Sequence, residues 1–268
     1  GFGRVLLVAY VPLADLGVYN VAVTAFGVMA SIPGAISTAL FPRYSELQGR
    51  DGMRSLEKTV RIASRYVSYV VVPLAVGLAA TARPAISLFA GRAYEMGALP
   101  LAILSLFGAV TCVGAALSDI FSIAERTKVS ALLSLIAVSI SVFLGILLIP
   151  STGVLGATFL KGVSMVLGFL LMLWVLKRMK LFTVDFDFEA LWKSGFASSV
   201  MAISVLGFQF LLYSKYLLPL YVFGGGIIYL AMLRFLRAVR PHDIHLVKVF
   251  VGKRFERLIE WAGPFLIS

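Results

Sequence analysis

Apolar residues run almost unbroken through seven stretches of this chain, at about 17–41, 62–82, 98–120, 129–149, 154–176, 195–213 and 217–236, with polar residues gathered in the gaps. A shorter apolar stretch, 1–13, precedes them. Each full stretch is close to the roughly 20 residues a helix needs to cross the hydrocarbon of a bilayer. Backbone amides find no water inside lipid, so runs this long and continuous are helices. The pattern predicts an all-α, polytopic membrane helical bundle of about seven full transmembrane helices plus a partial N-terminal one.

The gaps give the connections. Leu13 to Gly17 reads as a turn at a membrane exit, with Asp15 and Gly17 as turn formers. Between Phe41 and Arg65, Met53, Leu56, Val60, Ala63 and Val67 recur at helical spacing from a plausible cap at Asp51, as in an interfacial helix. Arg83 to Pro100 reads as an external loop, Pro150 to Gly156 as a tight turn, and Lys177 to Ser194 as a linker. Past Arg237, apolar Val247, Phe250, Val251, Phe255, Leu258 and Ile259 face Lys248, Lys253, Arg254 and Arg257, an amphipathic tail. The expected organisation is a six-helix lobe over 1–176, two additional helices over 177–236, and a tail over 237–268. The chain begins at Gly1, and 1–13 reads as the second half of a membrane helix, so it is expected to be the C-terminal part of something longer.

Charge then sets orientation. If the gap after the first full span is cytoplasmic, that face holds Arg43, Arg50, Arg54, Lys58, Arg61, Arg65, Arg126, Lys128, Lys177, Arg178, Lys180 and Lys193. The C-terminal basic residues Arg234, Arg237, Arg240, Lys248, Lys253, Arg254 and Arg257 fall on the same face, against only Arg83, Arg92 and Lys215 on the other. This is a strong positive-inside bias. It predicts a multi-pass protein of the cell membrane with a cytoplasmic C-terminus, and it assigns the net charge of +11 to topology and to membrane lipid headgroups. Nucleic acid is not an expected partner, since no basic patch stands apart from the membrane. A hydrophobic fraction of 60%, a charged fraction of 14% and a mean hydropathy of +0.97 exclude an ordinary soluble domain.

Enzymatic signatures are missing, and no cofactor is expected. Cys112 is the only cysteine, and both histidines, His242 and His245, lie in the tail. Asp185, Asp187 and Glu189 alternate with Phe186 and Phe188 as on an exposed extended segment, and no further metal ligands stand near them, so no metal site is expected. Gly224 to Gly226 suits close packing or a kink, Gln209 an interhelical hydrogen bond, and Lys215 an interface anchor. The informative exceptions are charges at membrane depth, where insertion costs about 2.5–3.5 kcal/mol. Lys161, about a third of the way into its span, either lines a watery cavity and attracts a phosphate or snorkels to the headgroups. Asp119, at the inner end of 98–120, and Arg4, in the N-terminal stretch, are the other candidate substrate-binding residues.

Four segments carry a family likeness: Asp15-Leu16-Gly17-Val18-Tyr19-Asn20-Val21-Ala22, Ala39-Leu40-Phe41-Pro42-Arg43-Tyr44-Ser45-Glu46-Leu47, Leu88-Phe89-Ala90-Gly91-Arg92-Ala93-Tyr94 and Gly153-Val154-Leu155-Gly156-Ala157. In order and spacing the chain resembles the C-terminal half of Wzx-like polysaccharide flippases, of the multidrug/oligosaccharidyl-lipid/polysaccharide exporter superfamily. The resemblance implies two six-helix lobes around a central cavity, often followed by two more helices, and alternating-access movement of a polyprenyl-diphosphate-linked oligosaccharide. The expected partners are membrane lipid, that lipid-linked substrate, and a missing N-terminal lobe or a second chain. Lys161 follows the last motif, where family members often carry a basic residue. The competing readings are a cation-coupled drug exporter of the same superfamily, for which Asp119 is the only acidic candidate, and a non-transporting scaffold or truncation product.

Overall fold

The structure, a computed structural model, describes residues 12–51, 53–112, 114, 127–178 and 187–238. Its helices are α1 (Leu13–Asp51), α2 (Met53–Ala80), α3 (Ala82–Phe89), α4 (Ala98–Cys112), α5 (Thr127–Arg178), α6 (Phe188–Leu211) and α7 (Leu218–Phe235), with 3-10 turns at Arg92–Gly97 and Lys215–Leu217. Among the described residues, five helical segments are long and apolar enough to cross a membrane, and α2 with α3 adds a sixth that bends by 72°.

One of those segments, Ser134–Arg178, holds 45 residues. As a straight helix it would measure roughly 68 Å, more than twice the hydrocarbon thickness. It folds back instead at Gly153, whose φ of 56° and ψ of −132° break the helix. The proof is across the hairpin: the hydroxyls of Ser141 and Ser164, 23 positions apart, lie 2.7 Å from each other. Counting the two arms, 127–152 and 154–178, the described residues make seven crossings, as the apolar pattern predicts. The partial helix at 1–13 falls outside them, apart from its last two residues.

Several connections differ from the sequence reading. Leu13 to Gly17 is the first turn of α1 rather than a turn between helices, with Asp15 at the N-terminal end of the helix dipole. The gap after the first span is largely helical: α1 continues to Asp51 and α2 starts at Met53. The segment Arg83 to Pro100, read as an external loop, contains most of α3 and a 3-10 turn. The carboxylate segment is not extended through its whole length, because Asp187 accepts the Ala190 amide and caps α6. The tail beyond 238 lies outside the described residues.

Among the described residues two apolar cores can be traced. The larger joins Tyr19, Ala22 and Phe26 of α1, Val71 and Ala75 of α2, Ile86 of α3, Leu101 and Leu104 of α4, and Ile149, Ala157 and Leu160 of α5. The smaller joins Ala80, Met201 and Val205 with Tyr221, Tyr229 and Leu233. The ends of the bundle are equally distinct. Gly17 meets Tyr94 and Arg83 lies over Tyr213 at one end, whereas Arg65 meets Asp187 and Tyr69 meets the Ala238 carbonyl at the other.

Candidate functional site

Glycine decides how closely the helices around Lys161 approach. A Cβ at Gly162 would stand 2.1 Å from the Phe107 ring, and one at Gly114 would stand 2.1 Å from the Phe169 ring. So α4 places Phe107 in a notch of α5, and α5 returns Phe169 into a notch at residue 114, two turns further on. Phe26 of α1 fills a third notch at Gly108, where a Cβ would meet its ring at 2.5 Å. These fits fix the rotation of the 154–178 arm, and with it the direction of the residue before Gly162.

That residue is Lys161. It is half-buried, and its ammonium lies 5.9 Å from the centre of the Phe26 ring, within cation–π range. Eight residues past the Gly153 turn, its backbone is about 12 Å along the arm. The side chain therefore rests on the buried face of α1, where α1, α4 and α5 meet. Asp119 and Arg4 lie outside the described residues.

The opposite face of α1 is uncovered and has a different character. Thr24, Gly27, Val28, Ser31, Gly34, Ala35 and Thr38 are all exposed along one side of the helix. The hydroxyls of Ser31 and Thr38 bond to carbonyls of their own helix, at Val28 and Gly34. By contrast, the 127–152 arm exposes Leu132, Leu135, Ile136, Val138, Phe143, Ile146 and Leu147. Large aliphatic side chains suit lipid, while small and hydroxylated ones suit a close helix contact or water. Sequence reading missed this face, although the recurrence of small residues through an otherwise apolar span is its signal.

At the basic end, Arg65 donates from Nε to Asp187 Oδ2 at 2.6 Å, and its Nη2 lies 2.5 Å from the same oxygen. Burial alone would push the Asp187 carboxyl up, but the Ala190 amide and Arg65 together hold it below its ordinary value. The pair fastens α2 to the start of α6. At the other end Arg83 bonds Glu95 while its guanidinium sits 5.0 Å from the centre of the Tyr213 ring.

Comparison with known proteins agrees with this architecture. Residues 3–99 match the family model described as polysaccharide biosynthesis protein. The fold matches a solved structure of the lipid II flippase MurJ in its inward closed conformation, with a TM-score of 0.70 at 15% identity over 81% of this chain. The chain resembles polysaccharide-biosynthesis proteins over residues 3–99 and shares the fold of the flippase structure. It spans 46% of the length of that MurJ chain. No curated protein matches it in sequence. It is a multi-pass membrane protein, as its long apolar helices require.

Proposed function

We propose that this chain forms the C-terminal portion of a flippase that moves polyprenyl-diphosphate-linked oligosaccharide across the cell membrane during surface-glycan synthesis. The observation that carries the reading is the agreement between the polysaccharide-biosynthesis match over residues 3–99 and the flippase fold over most of the chain. Residues 1–176 would be one lobe, and 177–236 an accessory pair that packs on the Ala80 side of α2 through the smaller core. The missing lobe packs on the small, hydroxyl-bearing face of α1 from Thr24 to Thr38, leaving the aliphatic face of the 127–152 arm to lipid. The basic end, with the C-terminus, faces the cytoplasm.

Within this scheme Lys161 is the candidate contact for the diphosphate. Its half-burial on Phe26 supports the reading, because an ammonium at that depth carries its charge away from the headgroups. The protein acts as a transporter and makes or breaks no covalent bond.

The decisive experiment reconstitutes the full-length protein in vesicles with a fluorescent polyprenyl-diphosphate-linked saccharide in one leaflet. Transfer to the other leaflet above protein-free vesicles supports the proposal. Transfer no faster than in protein-free vesicles overturns it.

A further inference from the structure

Two prolines lie in the α2–α3 span, Pro73 inside α2 and Pro84 just past the bend. Proline has no amide hydrogen, so it leaves the carbonyl four residues earlier without its helical donor. Pro73 does this to the carbonyl of Tyr69, and Pro84 to that of Ala80. In a membrane an unmet carbonyl costs several kcal/mol, and a neighbouring helix is one source of a replacement donor. Both replacements come from the α6–α7 pair. The Tyr229 hydroxyl of α7 donates to the Tyr69 carbonyl at 2.8 Å. The Gln209 side-chain amide of α6 donates to the Ala80 carbonyl at 3.0 Å.

The surroundings are built for these two bonds. Gln209 and Tyr229 are both buried. Ser194 of α6 stands 3.1 Å from the Tyr229 hydroxyl and donates to the adjoining Ser68 carbonyl at 3.0 Å. Tyr69 in turn sends its own hydroxyl to the Ala238 carbonyl, past the end of α7. The contact at Ala80 falls at the 72° bend itself. Two carbonyls eleven positions apart on one broken helix thus take donors from two different helices of the same hairpin.

We propose that the α6–α7 pair is the brace of a double proline hinge, with Tyr229 and Gln209 as positioning residues that hold α2 and α3 at their set angle. The hinge bends in step with the pair, and the two helices are a working part of the span they cover. This inference is independent of the cargo and holds for any substrate.

Double-mutant cycles in the full-length protein test it. Tyr229→Phe and Gln209→Leu should each lower the thermal midpoint in detergent by about 2–4 °C. Pro73→Ala restores the amide that Tyr69 lacks, so Tyr229→Phe should have little effect in that background. Pro84→Ala should likewise cancel Gln209→Leu, whereas the crossed combinations should simply add. An undiminished drop in the matched alanine backgrounds overturns the proposal. The two prolines give two independent cycles, so one decides the matter if an alanine variant does not fold. Spin labels at Phe89 and Tyr216, both exposed, supply the geometric readout. Their distance distribution should broaden when Tyr229→Phe and Gln209→Leu are combined, and an unchanged narrow distribution also overturns the brace.

Discussion

Arg65 and Asp187, 122 positions apart, share one oxygen contact that fastens the start of α6 to the side of α2. The carboxylate also caps α6 through the Ala190 amide, so a single side chain ends one helix and anchors it to another. Its depressed pKa fixes the sign of the pH dependence. The folded form holds the proton more weakly than the unfolded form, whose carboxyl titrates near 3.8. The contribution is therefore complete above that value and fades as pH falls through the lower folded pKa. Asp187→Ala should cost about 3 kcal/mol at neutral pH, since Arg65 would keep a largely buried charge without this partner. Denaturation curves at pH 7 and pH 3 should show the gap between wild type and variant narrowing on acidification.

Gly162→Ala and Gly114→Ala should each destabilise the chain by roughly 1–3 kcal/mol through overpacking. The specific sign of the notch is rescue: trimming Phe107 to Leu should recover part of the loss in Gly162→Ala and none in Gly114→Ala. Thermal midpoints of the three single and two double variants decide this.

Gly153→Ala forces a side chain into a backbone conformation that costs on the order of 1–3 kcal/mol. The expected outcome is a less stable protein, because the hairpin must still close to bring Ser141 to Ser164. An unchanged thermal midpoint would show that the turn has another conformation available.

Lys161→Ala in the full-length protein should slow translocation by about tenfold, the worth of one charge-assisted hydrogen bond, with folded protein largely retained. Lys161→Arg, which keeps the charge, should recover most of the rate. Glycan export at the wild-type level in the alanine variant would remove the residue from the transport path.

Reporter fusions at Gly49 and Tyr94 should report opposite sides of the membrane, with Gly49 cytoplasmic. The two positions belong to opposite ends of the bundle, since Tyr94 meets Gly17 at the start of α1 and Gly49 lies near its end. The same side for both would overturn the span assignment.

The crossings were legible because lipid demands long apolar runs, and polar gaps between them leave little choice of boundary. Connections were harder to read. Asp15 and Gly17 are common in turns, yet here they begin a helix, because Val18 and Tyr19 must already face the core. Asp187 looks like one of three alternating carboxylates, and a capping position just ahead of an apolar run was the signal available. Its partner Arg65 is too distant in sequence to be inferred. The interhelical bond of Gln209 could be anticipated from a polar amide in an apolar span, but not which carbonyl receives it. Tyr229 gave no such hint, since a tyrosine is unremarkable among apolar residues. Of the candidate site, Lys161 stood out as a charge at depth, while its seat on Phe26 depends on notches at Gly108 of α4, at Gly114 just past it, and at Gly162 beside it. Asp119 and Arg4 fall outside the described residues.

The reciprocal seating of Phe107 and Phe169 has a mechanical consequence. Phe107 is keyed into the 154–178 arm and Phe169 into the turn at Gly114 just past α4, the two keys seven residues apart on both sides. Sliding α4 along the 154–178 arm by a single residue would unseat both rings at once. These helices can tilt as one lever, with travel along each other blocked. Motion within the lobe is thereby directed to the joints that lack such keys, the bend after Ala80 and the reversal at Gly153.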